Sequence, residues 1–375
     1  MNNFPHLQFK DWPFQVVPDE RFVEIWADRK EVLADIHNLL QGFSRRKQST
    51  INLLWAWFGA GKSHTLRHMQ YLCRTKYQTI IPIYTEFPKS VKSFFDVYRY
   101  FINGIGFELF KEVIAEVPVT LADFSDFPEI MTAVDLISTG DLQEKDIAWR
   151  WMRGDKIYTQ TLRRYNLDTR IETCDDAVRA MALILRLLEK SGKYSRVLWM
   201  IDEFQRIGVE KNPIWEDVNT GLHSTFNACP NALSLFLSFS VHEKQDMIGL
   251  LSREIIDRIG ISKIIRVPQM SRQDAFAFVA DLMFAFRPDI YNLPATYFPF
   301  TEDAVRFILL LIEKNAELKP RSIMQYFNVV LERAEPAIAL NQMSLITIDY
   351  VKQILQDYDL FLTFQGDKEK VPALV

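Results

Sequence analysis

The passage from Leu53 to Thr65 restricts the fold of this chain more than any other. An apolar run, Ile51 to Trp57, breaks into Gly59-Ala60-Gly61, continues through Lys62 and Ser63, and resumes as a helical pattern at Leu66, Met69, Leu72 and Cys73. A buried strand, a glycine-rich turn and a helix opening on Lys-Ser is the setting in which backbone N–H groups curl inward around phosphate oxygens. Glycine permits the curl, and the helix N-terminus adds partial positive charge. The stretch Phe58, Gly59, Ala60, Gly61, Lys62, Ser63 and His64 is therefore the expected phosphate cradle. Lys62 is expected to reach the β- and γ-phosphates, and the Ser63 hydroxyl to hold Mg²⁺. One position departs from the usual spacing. Ala56 stands where the first glycine of such a loop belongs, and alanine takes up φ > 0 at a cost.

A second motif lies far downstream. The apolar strand Arg196-Val-Leu-Trp-Met-Ile runs straight into Asp202 and Glu203. A carboxylate at the carboxyl end of such a strand can hold the metal, which is the role expected of Asp202. Glu203 is placed to polarise a water attacking the γ-phosphate, as a general base. Together with Lys62 and Ser63 the pair supplies both ends of one metal–phosphate site. A third buried strand, Ala232 to Ser240, contains serines inside an apolar run. Ser240 at its end is the first candidate to orient the attacking water, and Ser238 the second.

The rest of the chain is read around these strands. Residues 1–20 are aromatic and proline-marked (Phe9, Trp12, Pro13, Phe14, Pro18), as in an extended arm packed by its rings. Phe22, Ile25, Trp26, Val32, Leu33, Ile36, Leu39 and Leu40 follow helical spacing, with Asp28-Arg29 inside. Thr79 to Tyr84 predicts a second strand, residues 91–115 one aromatic amphipathic helix, and Asp175 to Lys190 another helix. Residues 116–170 read as short helical pieces. Their block Trp149-Arg-Trp-Met-Arg-Gly154, with Arg163, Arg164 and Arg170, could touch nucleic acid or a neighbouring subunit, or could be an ordered surface insertion. Ile214 to Phe226 predicts a helix, Gln245 to Gly260 a helix and turn, and Lys263 to Pro268 a last short strand. From Ser271 the pattern is helical throughout, and the tail from Gly366 to Pro372 reads as loose.

With 375 residues, 48% of them hydrophobic, the chain can bury one large or two medium cores. A net charge of −4 gives no global basic field, so contact with nucleic acid would need a local patch. Cys73, Cys174 and Cys229 are widely spaced, which suggests reduced thiols and no zinc site or disulfide framework. No basic stretch followed by an apolar run opens the chain, and no run of about 18 apolar residues occurs, so a cytoplasmic protein without membrane contact is expected.

In order along the chain come the strand–Gly-Ala-Gly-Lys-Ser–helix unit, the Asp202-Glu203 strand, the strand ending at Ser240, the arginines at 253 and 258, and Lys319-Pro320-Arg321. That succession resembles the AAA+ ATPases, in their origin-recognition or initiator-like branch. The aromatic-proline arm, Asp28-Arg29 and the opening Pro268-Gln-Met-Ser-Arg-Gln-Asp-Ala fit the same branch. The Trp149–Gly154 block is similar to bacterial ATPases of BREX-type phage-defence systems.

The resemblance implies an α/β P-loop NTPase with a mainly parallel central sheet, followed by a small all-helical lid. Residues 1–268 would form the nucleotide-binding domain, with the arm and an insertion near 116–170, and 269–375 the lid. ATP with Mg²⁺ would sit between the two. It implies that Arg321 senses the γ-phosphate and that Arg258, with Arg253 as alternate, reaches into a neighbouring subunit's site. Such an arginine can be worth about 10³–10⁵ in rate. The implied partners are other copies of the chain and duplex DNA or a partner protein. The other implied reading is a slow switch that recruits an effector encoded elsewhere. A winged-helix DNA-binding domain, usual after the lid of initiators, does not fit in the length that remains.

Overall fold

Five strands, each an almost unbroken apolar run, build the central sheet in the order β2-β3-β4-β1-β5. They are β1 (Thr50–Ala56), β2 (Ile80–Glu86), β3 (Arg196–Asp202), β4 (Leu233–Ser240) and β5 (Ile264–Val267). The β1–β4, β2–β3 and β3–β4 ladders are all parallel. Strands covered by helices on both faces lose the polar alternation of a half-exposed sheet, which is why β3 and β4 are buried along their whole length. In register, Glu86 lies beside Asp202 and Ala56 beside Ser240. The carboxyl ends of β1, β4 and β3 are therefore neighbours.

The computed structural model describes residues 3–15, 20–117, 127–210, 212–240, 248–259, 264–288 and 295–355. Pro18, Pro118, the start of the helix expected from Gln245, Lys263, Pro294 and the tail from Gly366 lie outside the described residues. The chain divides into two units. One comprises Val32–Ala56 with Thr65–Arg266, and the other Met1–Glu31, Trp57–His64 and Val267–Val375. Each has its own apolar core.

Helix α1 runs Lys30–Arg45, with Val32 onward in the sheet-bearing unit, and helix α2 (Lys62–Thr75) follows the glycine-rich turn, with Thr65 onward in that unit. The helical spacing expected from Phe22 onward is corrected. Among the described residues from Glu20 to Arg29 there is a 3-10 turn, Glu20–Phe22, and no α-helix, because Asp28 and Arg29 both adopt φ of 52°, which no α-helix accommodates. The single helix expected over 91–115 is two, Phe94–Ile105 and Phe107–Glu116, parted at Gly106 with φ of 78°. Residues 127–170 hold three helices, Pro128–Thr139, Leu142–Met152 and Thr159–Arg164. There Trp151 is 2% exposed and donates its indole N–H to the Thr169 carbonyl, while Trp149 packs against Phe107 and Phe110. The tryptophans of the Trp149–Gly154 block thus belong to the core. The helix Cys174–Lys190 begins on a capping box, in which Thr173 and Asp176 satisfy each other's backbone N–H groups.

The other unit is helical: Arg272–Ala285, Glu302–Asn315, Pro320–Ala339 and residues 348–355. Ser271 with Asp274, and Thr301, cap the first two. The N-terminal arm is part of this core, with Leu7, Phe9 and Phe14 fully buried in it. The Arg287 guanidinium donates to the Leu7 carbonyl at 3.0 Å and lies 4.3 Å from the centre of the Phe9 ring. Trp12 donates to Asn328 at 2.7 Å. No described helix is long and apolar enough to cross a membrane.

Candidate functional site

The glycine-rich turn leaves β1 at Ala56. That residue is 1% exposed and lies in the ladder opposite Ser240. Its missing glycine is thereby explained: the positive φ values fall on Gly59 (76°) and Gly61 (95°), and the strand residue needs none. Both glycines also sit against neighbours. A Cβ on Gly59 would lie 3.3 Å from the Arg321 Cβ and 3.3 Å from Lys319, and one on Gly61 would lie 3.7 Å from Arg29. The Arg321 backbone N–H donates to the Gly59 carbonyl at 3.4 Å. Arg29 donates to the Ala60 carbonyl through one nitrogen, and through the other to the Pro268 carbonyl at 3.2 Å. Burial draws its guanidinium down to about 10. Lys62 is 5% exposed, with its ammonium 5.8 Å from the centre of the Phe58 ring, and Phe58 is half exposed. His64 meets the Ile25 carbonyl at 2.9 Å, and Ser63 is half-buried on the first turn of α2.

At the carboxyl end of β3 the polar groups form a second network. Asp202 is 1% exposed, and its Oδ1 accepts from the Glu203 N–H (2.9 Å) and the Ser238 hydroxyl (2.8 Å). Its Oδ2 accepts from the Tyr84 hydroxyl at 3.1 Å. These donors satisfy a carboxylate that water does not reach. Burial first, and then the Asp202 charge, push the Tyr84 hydroxyl up to about 12, so it is a donor at neutral pH. Arg67 lies over the same ring at 5.2 Å.

Glu203 adopts φ of 56°, so the chain turns sharply at the strand end and throws its carboxylate out of the ladder. Its Oε2 accepts from Gln205 at 2.7 Å and its Oε1 from the Ser240 hydroxyl at 3.3 Å. Gln205 also accepts the Ser240 backbone N–H at 3.0 Å.

The serines inside β4 are thus accounted for. Ser238 serves Asp202, Ser240 serves Glu203, and Ser234 accepts from Arg196 at 2.6 Å.

The structure therefore brings together Asp202, Glu203, Ser238 and Ser240 in one cluster, and Gly59, Ala60 and Arg321 in another. Arg258 joins neither. It is exposed, donates to Asn227 at 2.5 Å and lies 5.3 Å from the centre of the Phe226 ring. Arg253 is also exposed, at the start of the helical turn Arg253–Ile256. Sequence reasoning missed Gln205 and Tyr84, and it placed Arg29 inside a helix. The only signal for Gln205 was its position two residues beyond Glu203, which no periodic pattern marks.

No protein-family model and no curated protein matches the chain. Solved structures do. The ORC1 protein of Aeropyrum pernix, in complex with DNA, is 11% identical with a TM-score of 0.54, over 92% of this chain and 69% of that one. The ORC2 protein of the same organism, in ADPNP–ADP complexes, is 13% identical with a TM-score of 0.54, over 93% and 72%. The Walker-type ATPase PABY2304 of Pyrococcus abyssi is 13% identical with a TM-score of 0.51, over 96% and 80%. At this identity the likeness is one of fold. A parallel α/β sheet, a glycine turn at the end of β1 and a carboxylate pair at the end of β3 give the chain the fold of the AAA+ P-loop ATPases, and the ORC proteins are among the structures it resembles.

Proposed function

We propose that this chain binds ATP and hydrolyses it, coupling nucleotide state to assembly with other copies of itself on duplex DNA or a partner protein. The observation that carries the reading is the register of Ala56 with Ser240. It sets the root of the phosphate loop beside the strand end whose hydroxyl bonds Glu203. The N–H groups of residues 58–64 and Lys62 would take the phosphates, and Arg321, whose backbone bonds the loop, would sense the γ-phosphate. Residues 1–268 would serve as the nucleotide-binding domain and 269–375 as its lid.

Magnesium fits the donors assigned to it. The Ser63 hydroxyl and the Asp202 carboxylate are hard oxygen ligands, and the ion would neutralise charge on the β- and γ-oxygens. Glu203 would take a proton from the attacking water. The water oxygen bonds to the γ-phosphorus, the bond to the bridging oxygen breaks, and the electron pair leaves with ADP. Arg258, exposed, would complete a neighbouring subunit's site, with Arg253 as alternate.

DNA as a partner is drawn from the ORC1 protein, whose structure is a complex with DNA. A setting in phage defence rests on resemblance of the Trp149–Gly154 block alone. The second reading is a slow switch that holds ATP and recruits a separate effector. It is favoured by Ser240 and Gln205 together occupying both Glu203 oxygens.

Measuring the ATPase rate against protein concentration, with and without duplex DNA, separates the two. A rate that climbs steeply with concentration and with DNA supports the assembling ATPase. A low, flat rate with tight nucleotide retention supports the switch. No nucleotide binding at all overturns both. Glu203→Gln is expected to trap ATP with hydrolysis reduced by about 10²–10⁴-fold.

A further inference from the structure

We infer that Gln205 is a positioning residue that fixes the aim of the Glu203 carboxylate by tying it to the end of β4. The inference rests on the reading of Glu203 as the base. Glu203 ends its strand in a left-handed conformation with φ of 56°, so no ladder bond dictates where its carboxylate points. Two side-chain contacts do so instead, one to each oxygen. The Gln205 amide N–H donates to Oε2 at 2.7 Å, and the Ser240 hydroxyl meets Oε1 at 3.3 Å. The other end of the same Gln205 amide accepts the Ser240 backbone N–H at 3.0 Å. Glu203, Gln205 and Ser240 thus close a three-membered ring of hydrogen bonds.

The middle place needs a group that donates on one side and accepts on the other, as the Gln205 primary amide does. A carboxylate there would repel Glu203, and a leucine would do neither. Gln205 is half-buried on a 3-10 turn (Phe204–Val209), so its replacement removes the two bonds and leaves the apolar core intact. In this arrangement the base is held by both ends of β4's last residue. Any shift of Ser240 along the strand direction therefore re-aims the carboxylate.

The test compares the full-length wild-type chain with Gln205→Leu, Gln205→Glu and, as a control, Glu203→Gln. It measures kcat, KM, fluorescent ATP-analogue binding and the melting temperature. Gln205→Leu is expected to lower kcat on the order of tenfold, with analogue affinity within about twofold of wild type. Gln205→Glu sets a second carboxylate against the first and removes the donor to Oε2, so it is expected to lower kcat at least as far, again with analogue affinity within about twofold. A purely structural role would lower the melting temperature and leave kcat per folded molecule where it is.

Wild-type kcat per folded molecule in Gln205→Leu and Gln205→Glu overturns the inference. Undiminished hydrolysis by Glu203→Gln is a different result. It removes the base assignment itself and leaves nucleotide binding standing.

Discussion

Arg196 and Asp202 begin and end the same strand, and both are hidden, with 2% and 1% of their surface exposed. Their partners differ in kind. The Arg196 guanidinium donates to the carbonyls of Arg46, Gln48 and Leu233 and to the Ser234 hydroxyl, and it lies 5.1 Å from the centre of the Phe43 ring. No carboxylate is among those partners. Burial alone draws it down to about 10. Asp202 is held mainly by side chains, Ser238 and Tyr84, with one backbone N–H. A charge that ties backbone carbonyls of several segments together closes off the amino edge of the sheet. A charge surrounded by hydroxyls, with a second carboxylate next to it, can exchange partners when a ligand arrives. On the proposed function, the two ends of β3 would separate stability from chemistry within seven residues.

Four substitutions can break or sharpen this contrast. Asp202→Asn is expected to have the largest effect. With Asp202 as the proposed metal ligand, it should lower kcat on the order of 10³-fold while the melting temperature stays within a few degrees, because losing metal charge stabilisation is worth several kcal/mol. Steady-state turnover beside a thermal melt checks it, and near-wild-type turnover would remove the functional role from this end. Arg196→Met should do the reverse. Leaving several buried carbonyls unpaired costs about 3 kcal/mol of stability, read by urea titration, with turnover per folded molecule unchanged. A large loss of turnover without destabilisation would erase the distinction.

Tyr84→Phe removes one of the donors to Asp202, and about 1 kcal/mol of support for its charge predicts a turnover loss of severalfold. The smallest effect is expected of Ala56→Gly, which restores the usual loop residue. Because Ala56 is a strand residue, glycine there should cost roughly 0.5–1 kcal/mol and leave nucleotide affinity unchanged. A gain in affinity would show that the loop had needed the glycine.

What could be read from sequence divides along similar lines. The strands were legible because burial on both faces writes them as continuous apolar runs, and Asp202 and Glu203 stood out because charge interrupts such a run. The glycine-rich turn was legible because Gly59 and Gly61 carry the positive φ that the turn requires. Arg29 was misread. Apolar periodicity continues across residues 22–40, but a guanidinium pinned to two carbonyls and two left-handed residues stop the helix before Lys30. Gln205 was invisible for a related reason. Its meaning comes from Ser240, 35 residues away, which only the folded sheet brings near. The Trp149–Gly154 block misled in the opposite sense, since tryptophans among arginines look like a binding surface until Trp151 is found facing inward.

The loop Trp57–His64 clusters with the N-terminal arm and the helical C-terminal part, and not with the strand that precedes it or the rest of the helix that follows. Anyone building a chimaera from this protein would accordingly have to transplant three separate stretches as a single cassette. A conventional splice at one junction would leave the cradle among strangers.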